Sequence, residues 1–351
     1  GIKNKLLKWI ETWLNMRSQR VVVKGCASDW LPVKSGVPQG SVLGPLLFTV
    51  FINDIDDNVG SHILKFADDT KVFGPVATPE EVRKLQSDLN NMFAWSQDWQ
   101  MLFNVSKCKC LHFGFNNNKN TYFMDGEAVP HCSSEKDLGI IVTEDLHQHD
   151  QVARVVKKAN QIAGTIRRVY NNKSKKNIIQ LYKSLIRPIL EYCMQAWRPY
   201  HQQDIDNLEG VQRRVTKMIH GLQDMTYTDR LRETKLLTLE MRRLRGDLIE
   251  VFKIMHNLEG LEANKFFQLR SASNLRGHNL TIFKPHSRLN CRKFFFTQRV
   301  INEWNNLPSS AVNSASVNGF KKAIKPFLHQ RGEQFISQRR LQAPVLLSLR
   351  G

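Results

Sequence analysis

Apolar side chains at Ile2, Leu6, Trp9, Ile10, Trp13 and Leu14 recur at helical spacing, which predicts an opening helix with one apolar face. The β-branched run Val21-Val22-Val23 and a second extended stretch from Trp30 to Val33 then predict a hairpin. Glycine and proline punctuate residues 35–45, a loop that leads into the apolar stretch Leu46 to Ile55, where a buried helix is expected. From Ile63 to Phe73 apolar positions lie on both sides of Asp68-Asp69, predicting two strands joined at a tight turn. Thr78-Pro79-Glu80-Glu81 offers a capping threonine, a proline suited to the first helical position and a capping-box glutamate. Val82, Leu85, Leu89, Met92 and Phe93 continue that helix.

From Lys107 to Val142 short strand patterns alternate with polar turns such as Asn116-Asn117-Asn118, ending at Asp137-Leu138-Gly139-Ile140. Beyond His147 the periodicity is helical, over 151–170, 175–197, 204–220 and 240–258, each with a basic polar face. The front is therefore expected to be α+β and the back mostly α. No repeat at a period of about 20 to 50 residues is visible, which argues against a solenoid. Periodicity is weak from Gly332 onward, predicting a loosely ordered tail.

Charge sharpens this division. The chain of 351 residues has 51 Lys and Arg against 32 Asp and Glu, net +19. Residues 1–150 carry 15 basic and 18 acidic side chains, net −3, and the remaining 201 carry 36 and 14, net +22. A near-neutral front and a strongly basic back fit a chain in which one part does chemistry and the other holds a polyanion such as nucleic acid. No apolar run reaches the ~20 residues that span a bilayer, and the six scattered cysteines form no CxxC pair, which suits a reducing, intracellular compartment. The chain begins at Gly1 with no initiator methionine, so a fragment of a longer protein is expected.

Asp68-Asp69 is the leading chemical feature. Aspartate pairs are common in turns, but rigid flanking strands would hold these two carboxylates together, and a divalent cation is the usual remedy for their repulsion. Magnesium fits best, since it takes carboxylate oxygens and keeps waters for substrate phosphates. The loop Ser35-Gly36-Val37-Pro38-Gln39-Gly40-Ser41 lies upstream, where glycine allows close backbone approach and Gln39 offers both donor and acceptor. It is not a Walker phosphate loop, because no Gly-Lys-Ser/Thr follows. Cys108, Cys110 and His112 alternate in a way that spreads them too far for one tetrahedral ion, so core packing is expected there. Tryptophans 9, 13, 95, 99, 197 and 304 are expected as core anchors. His147, His149 and His220 show no ligand spacing.

Taken together, SGVPQGSVLGPLLFTVFINDI followed by LKFADDTKVFG closely resembles the palm of reverse transcriptases from non-LTR, LINE-type retrotransposons, jockey-like elements in particular. The resemblance implies a right-hand polymerase fold: a partial palm of antiparallel sheet plus helices over 1–146, a basic helical thumb over 147–260 and a C-terminal helical region over 261–351. It implies that Pro38, Gln39, Gly40 and Ser41 support nucleotide and template, with Phe66 and Ala67 alongside, and that Asp68 and Asp69 bind two magnesium ions, manganese being the alternative. Lys107, in WQMLFNVSKC, resembles the family's proposed proton donor to pyrophosphate, and Leu138-Gly139 resembles the primer-grip turn. Glu303-Trp304-Asn305-Asn306-Leu307-Pro308 matches a segment common near the C-terminus of such proteins. Arg213, Arg214, Arg242, Arg243 and Arg245 are candidates for contact with the nucleic-acid backbone.

The implied activity is RNA-directed DNA polymerisation, with an RNA template, a DNA primer, the RNA–DNA hybrid and dNTPs as partners, in cytoplasm and nucleus and without a membrane. The family's fingers and a third metal-binding aspartate lie upstream of the matching segment, so this chain alone is expected not to polymerise; the fingers are an expected partner from the same polyprotein, and whether an endonuclease segment joins them is left open by the sequence. The competing reading is a non-catalytic nucleic-acid-binding remnant or a domesticated retrotransposon protein that uses only the basic region.

Overall fold

A computed structural model describes residues 2–270 and 277–332, so the expectation of a loose tail falls almost wholly outside the described residues. The chain separates into two units, Gly1–Cys132 and Ser133–Gly351.

The first unit opens with α1 (Asn4–Leu14), as the periodicity predicts. Four short strands follow: β1 (Arg17–Gln19), β2 (Val22–Val23), β3 (Cys26–Ala27) and β4 (Leu31–Val33). β1 pairs antiparallel with β4 and β2 with β3, so the expected hairpin is present as two nested ladders. The apolar run beyond the glycine-rich loop forms α2 (Leu43–Phe51), earlier than expected and differently buried. Within α2 only Gly44 is buried, while Leu46 and Val50 are 56% and 66% exposed. Phe48 packs in part, and Ile52 and Ile55, just past the helix end, are buried in the core. Hydropathy alone could not separate the two, because composition does not say which side of a short helix meets a neighbour.

β5 (His62–Phe66) and β6 (Asp69–Phe73) form the predicted antiparallel pair, with Phe66 opposite Asp69. Ile63 and Val72 pack with Met92, Trp95, Ile52 and Ile55 against α3 (Pro79–Asp98). The capping box forms as expected: Glu81 N–H donates to Thr78 Oγ1, and the Glu81 carboxylate accepts from Thr78 N–H. β7 (Phe123–Met124) and β8 (Glu127–Ala128) add a small hairpin. Cys110 makes an isolated bridge with His131 rather than lying in a strand, and His112 is buried beside it. Trp9 and Trp99 depart from the expectation of core anchors, being 52% and 47% exposed in a unit with little core to receive them.

The second unit begins with β9 (Ser134–Asp137) paired to β10 (Ile140–Thr143) and continues through α4 (His149–Val169). The single helix expected over 175–197 is instead α5 (Lys175–Leu181), a π-helical turn at Tyr182–Ile186, α6 (Arg187–Glu191) and α7 (Met194–Trp197). Pro188 explains the first departure, since it has no N–H for the carbonyl one turn back and its ring crowds that carbonyl. Cys193, at φ +49°, accounts for the second. Next come α8 (Gln202–Lys217), α9 (Tyr227–Thr234) and α10 (Leu239–Met255). Among the described residues, five short helices follow: α11 (Asn290–Lys293), α12 (Phe296–Arg299), α13 (Ile301–Asn305), α14 (Ser309–Val312) and α15 (Val317–Ala323).

Two cores hold these helices. Val152, Ile166, Ile178, Tyr182, Leu208 and Val215 build one around α4 and α8. Leu248, Phe252, Val300, Trp304 and Phe320 build the other around α10. Gln212, buried in the first, is fully engaged: it accepts from Tyr182 Oη at 2.5 Å and donates to Tyr227 Oη and the Leu237 carbonyl. The segment Glu303 to Pro308 acts here as a core clamp. Trp304 is fully buried and its indole N–H donates to Leu280 O at 2.8 Å, while the Asn305 amide bonds both the N–H and the carbonyl of Ile282.

Candidate functional site

The acidic pair sits at the tip of the β5–β6 hairpin. Because Phe66 and Asp69 pair, Ala67 and Asp68 are the two central residues of the turn. Ala67 has φ +53°, the left-handed backbone that a primed hairpin turn requires at its first central position. Alternation along β5 turns Ile63 and Lys65 inward and leaves Leu64 and Phe66 outward. Phe66, Ala67, Asp68 and Asp69 are consequently all exposed, with the carboxylates open to water.

What positions this hairpin is hydrogen bonding more than apolar burial. The Asp88 side chain, 4% exposed on α3, accepts from Gly60 N–H and Ser61 N–H, each at 2.9 Å, and so fixes the chain just ahead of β5. Lys65 donates to Asp56 Oδ1 at 2.5 Å and to the Asn53 carbonyl at 2.7 Å. The Lys65 hydrogen bond holds the Asp56 carboxyl below its usual range. Trp95 Nε1 donates to Asp54 at 3.0 Å. Asp88 is a positioning residue that sequence reading missed, since a carboxylate in a polar helix face reads as solvated.

The glycine-rich loop is also held from within. Arg17 donates to Gly36 O at 2.6 Å and to Ser35 O at 3.3 Å, and Ser41 Oγ donates to Pro38 O while accepting from Gly44 N–H. Gly44 has no room for a side chain, because a Cβ would stand 2.8 Å from Ser41 Oγ and 3.0 Å from Pro38 O. Gly36 and Gly40 adopt φ of +73° and +78°, which favour glycine. Pro38 is half-buried, and Gln39 and Gly40 are exposed. Lys107 ends a 3₁₀ turn, Val105–Lys107, and is exposed.

In the second unit Leu138 and Gly139 are the central residues of the β9–β10 turn, at φ +43° and +87°. Tyr192 Oη donates to Leu138 O and Arg154 donates to Gly139 O, each at 2.9 Å, so the turn is pinned from α4 and from the end of α6. The arginines divide. Arg213 and Arg214 on α8 are exposed, the former over the Tyr227 ring at 5.1 Å and the latter bonded to Asn160 Oδ1. Arg242 turns to Glu191 in a bidentate pair at 2.7 and 2.6 Å, which raises its pKa. Arg243 is 1% exposed, and burial pulls its pKa down, with Glu240 and Glu209 opposing. Arg245 is half-buried and lowered chiefly by burial. Arg243 is therefore not presented to a phosphate backbone: the structure places it in the core.

The sequence family described as reverse transcriptase (RNA-dependent DNA polymerase) matches residues 1–166, which include the loop, the acidic hairpin, Lys107 and the Leu138-Gly139 turn. The chain is 24% identical over 225 residues to the RNA-directed DNA polymerase from mobile element jockey of Drosophila melanogaster, covering 60% of this chain and 25% of that protein. Its counterpart in Drosophila funebris is 25% identical over 235 residues, 62% of this chain and 25% of that protein. A probable RNA-directed DNA polymerase from transposon X-element of Drosophila melanogaster is 25% identical over 241 residues, 66% of this chain and 26% of that protein. The chain thus matches about a quarter of the length of these curated relatives. Mixed helices and small antiparallel strands are consistent with a reverse transcriptase domain. Among the described residues no helix is long and apolar enough to cross a membrane.

Proposed function

We propose that this chain is the catalytic-hairpin and helical portion of an RNA-directed DNA polymerase of a jockey-like mobile element, which extends a DNA primer on an RNA template. The observation that carries this reading is the adjacent, water-exposed Asp68 and Asp69 at the tip of a hairpin whose base Asp88 holds, inside the segment that matches the reverse transcriptase family. In this reading residues 1–146 supply palm structure, 147–260 a thumb and 261–351 a helical support.

The donor set suits magnesium or manganese. Two carboxylates offer hard oxygen ligands, and their exposure leaves room for water and phosphate oxygens. Such ions, when bound, would lower the cost of charge built up as a primer 3′-hydroxyl displaces pyrophosphate from the α-phosphate of a dNTP. Asp68 and Asp69 would hold them, and the turn geometry keeps both carboxylates at the same end of the hairpin. The loop Pro38 to Ser41, stiffened by the Ser41 and Arg17 hydrogen bonds, would support nucleotide and template with backbone groups and the Gln39 amide. Lys107, exposed at its turn, would give a proton to the leaving pyrophosphate. The Leu138-Gly139 turn would steady the primer, and Arg213 and Arg214 would meet the phosphates of the hybrid.

Primer extension on an RNA template, with magnesium and dNTPs and a polypeptide that carries this chain, tests the proposal. Asp68→Asn and Asp69→Asn should each lower extension by about 100-fold or more, while salt-sensitive hybrid binding stays within about twofold, because neither residue belongs to the basic surface. Extension that survives both substitutions would overturn the assignment. Hybrid binding with no aspartate-dependent extension would favour the non-catalytic binding role, for which the net charge of +22 over residues 151–351 is the supporting observation.

A further inference from the structure

Outside the polymerase residues, the helical unit brings three histidines together. His147 lies just before α4, His149 is its first residue and His201 caps the start of α8. One ring nitrogen of each lies within 4.8 Å of the others. The ring centroids stand 5.6 Å apart for His147 and His149, 5.3 Å for His147 and His201, and 5.0 Å for His149 and His201. Two neighbouring polar groups engage these rings. Asp204, 4% exposed, places Oδ2 2.6 Å from His149 Nδ1, and Tyr200 Oη lies 3.2 Å from His147 Nδ1. His201 Nε2 is buried with no hydrogen-bond partner among the described residues.

We infer that these histidines form a transition-metal site, best suited to zinc, that ties the start of α4 to the start of α8. Imidazole nitrogen is the donor for zinc rather than for magnesium or calcium, and three histidines with an open fourth position are an established ligand number for that ion. Tetrahedral ligands at ~2.0 Å from zinc stand ~3.3 Å from one another. The present spacing therefore needs a shift of the ring nitrogens by roughly an ångström or two, which rotation about side-chain bonds supplies. An imidazole has two nitrogens, so His149 can keep Asp204 on one and ligate with the other; that carboxylate–histidine pair is the usual outer arrangement of a zinc site.

Simple packing of three aromatic rings leaves His201 Nε2 without a partner, and a buried polar atom in that state is costly. Metal ligation satisfies it. The positive ends of α4 and α8 would oppose a cation, but Asp150 and Asp204 occupy their first turns and offset that field. The consequence reaches the Leu138-Gly139 turn, whose pinning residue Arg154 is on α4.

Zinc titration of the tag-free, metal-stripped 351-residue chain by calorimetry, with magnesium in excess to occupy carboxylate sites, tests the site. Cobalt(II) substitution supplies a second readout in its visible ligand-field bands. One zinc equivalent is expected, with tetrahedral-type cobalt bands and a higher melting temperature for the helical signal. His149→Ala and His201→Ala should each weaken binding at least about tenfold, and Asp204→Asn about 10- to 100-fold. His220→Ala and Asp68→Asn should leave it within about twofold, and circular dichroism at low temperature checks that each variant is folded. Equal zinc binding by a folded His149→Ala/His201→Ala double variant, no zinc binding by the parent chain, or loss of the zinc equivalent in Asp68→Asn would each overturn the inference.

Discussion

Trp9 and Trp304 mark the contrast between the two units. The first stacks on Trp13 at 6.1 Å yet is 52% exposed, whereas the second is fully enclosed and hydrogen-bonded through its indole nitrogen. In the first unit the central cluster is Ile52, Ile55 and Met92 with partly buried neighbours, while the second has two extended helical cores. The acidic hairpin and glycine-rich loop lie on the lightly packed unit. They are ordered by specific hydrogen bonds from Asp88, Arg17, Ser41 and Lys65 instead of by burial. Local stability follows buried contact, so the acidic hairpin should open more readily than α10.

The largest separation between the units should come from their tryptophans. Trp304→Ala empties a fully buried site and abandons Leu280 O, so a loss of about 3–5 kcal/mol is expected in urea unfolding of the second unit. Trp9→Ala, on an exposed helix face, should change stability by no more than about 0.5 kcal/mol. Equal losses would break the comparison. Asp88→Ala comes next. Removing an acceptor shared by two N–H groups should cost about 1–3 kcal/mol and speed amide exchange across β5–β6, with α10 unchanged. Exchange that rises equally in both units would show that the hairpin is not separately pinned.

A finer comparison lies within the basic surface. Arg213→Ala and Arg214→Ala should each reduce the slope of log affinity against log salt for hybrid binding by about 1, since both side chains are exposed on α8. Arg243→Met should leave that slope unchanged, since Arg243 faces the core. A fall in the slope for Arg243→Met would mean that α10 rearranges to present it.

How much of this was legible depends on whether a property is local. The Asp68 turn could be read because strand alternation and turn chemistry occupy twelve consecutive residues, and the Thr78 capping box because it closes over four. Pro188 carried the signal for the π-helical turn, although helical periodicity on both sides of it masked the break. Arg243 reads as surface in the sequence because a charged side chain is rarely buried, and the acids that accompany it, Glu240 and Glu209, come near only in the fold. The histidine cluster was invisible because His201 lies more than fifty positions from His149, and only the packing of α4 on α8 brings them together. Asp88 shares that difficulty, as its partners at Gly60 and Ser61 are in a different element.

The smallest expected effect isolates the ion pair beneath the hairpin. Asp56 has a folded pKa below its ordinary 3.8, first because Lys65 donates to it. A carboxyl lowered on folding binds its proton less readily in the folded state, so its contribution is present above about pH 4 and disappears as pH falls through the folded value. Both side chains are partly exposed, so solvent screening keeps the contribution at or below about 1 kcal/mol. Lys65→Met removes the partner, and with it this share of the acid sensitivity. Between about pH 5 and 2, amide protection in β5–β6 should therefore fall further in the parent chain than in the variant, with the two converging at the acidic end. Parallel curves over the whole range would mean that Lys65 orders the hairpin through the Asn53 carbonyl alone, and that the Asp56 charge contributes nothing to holding the acidic turn.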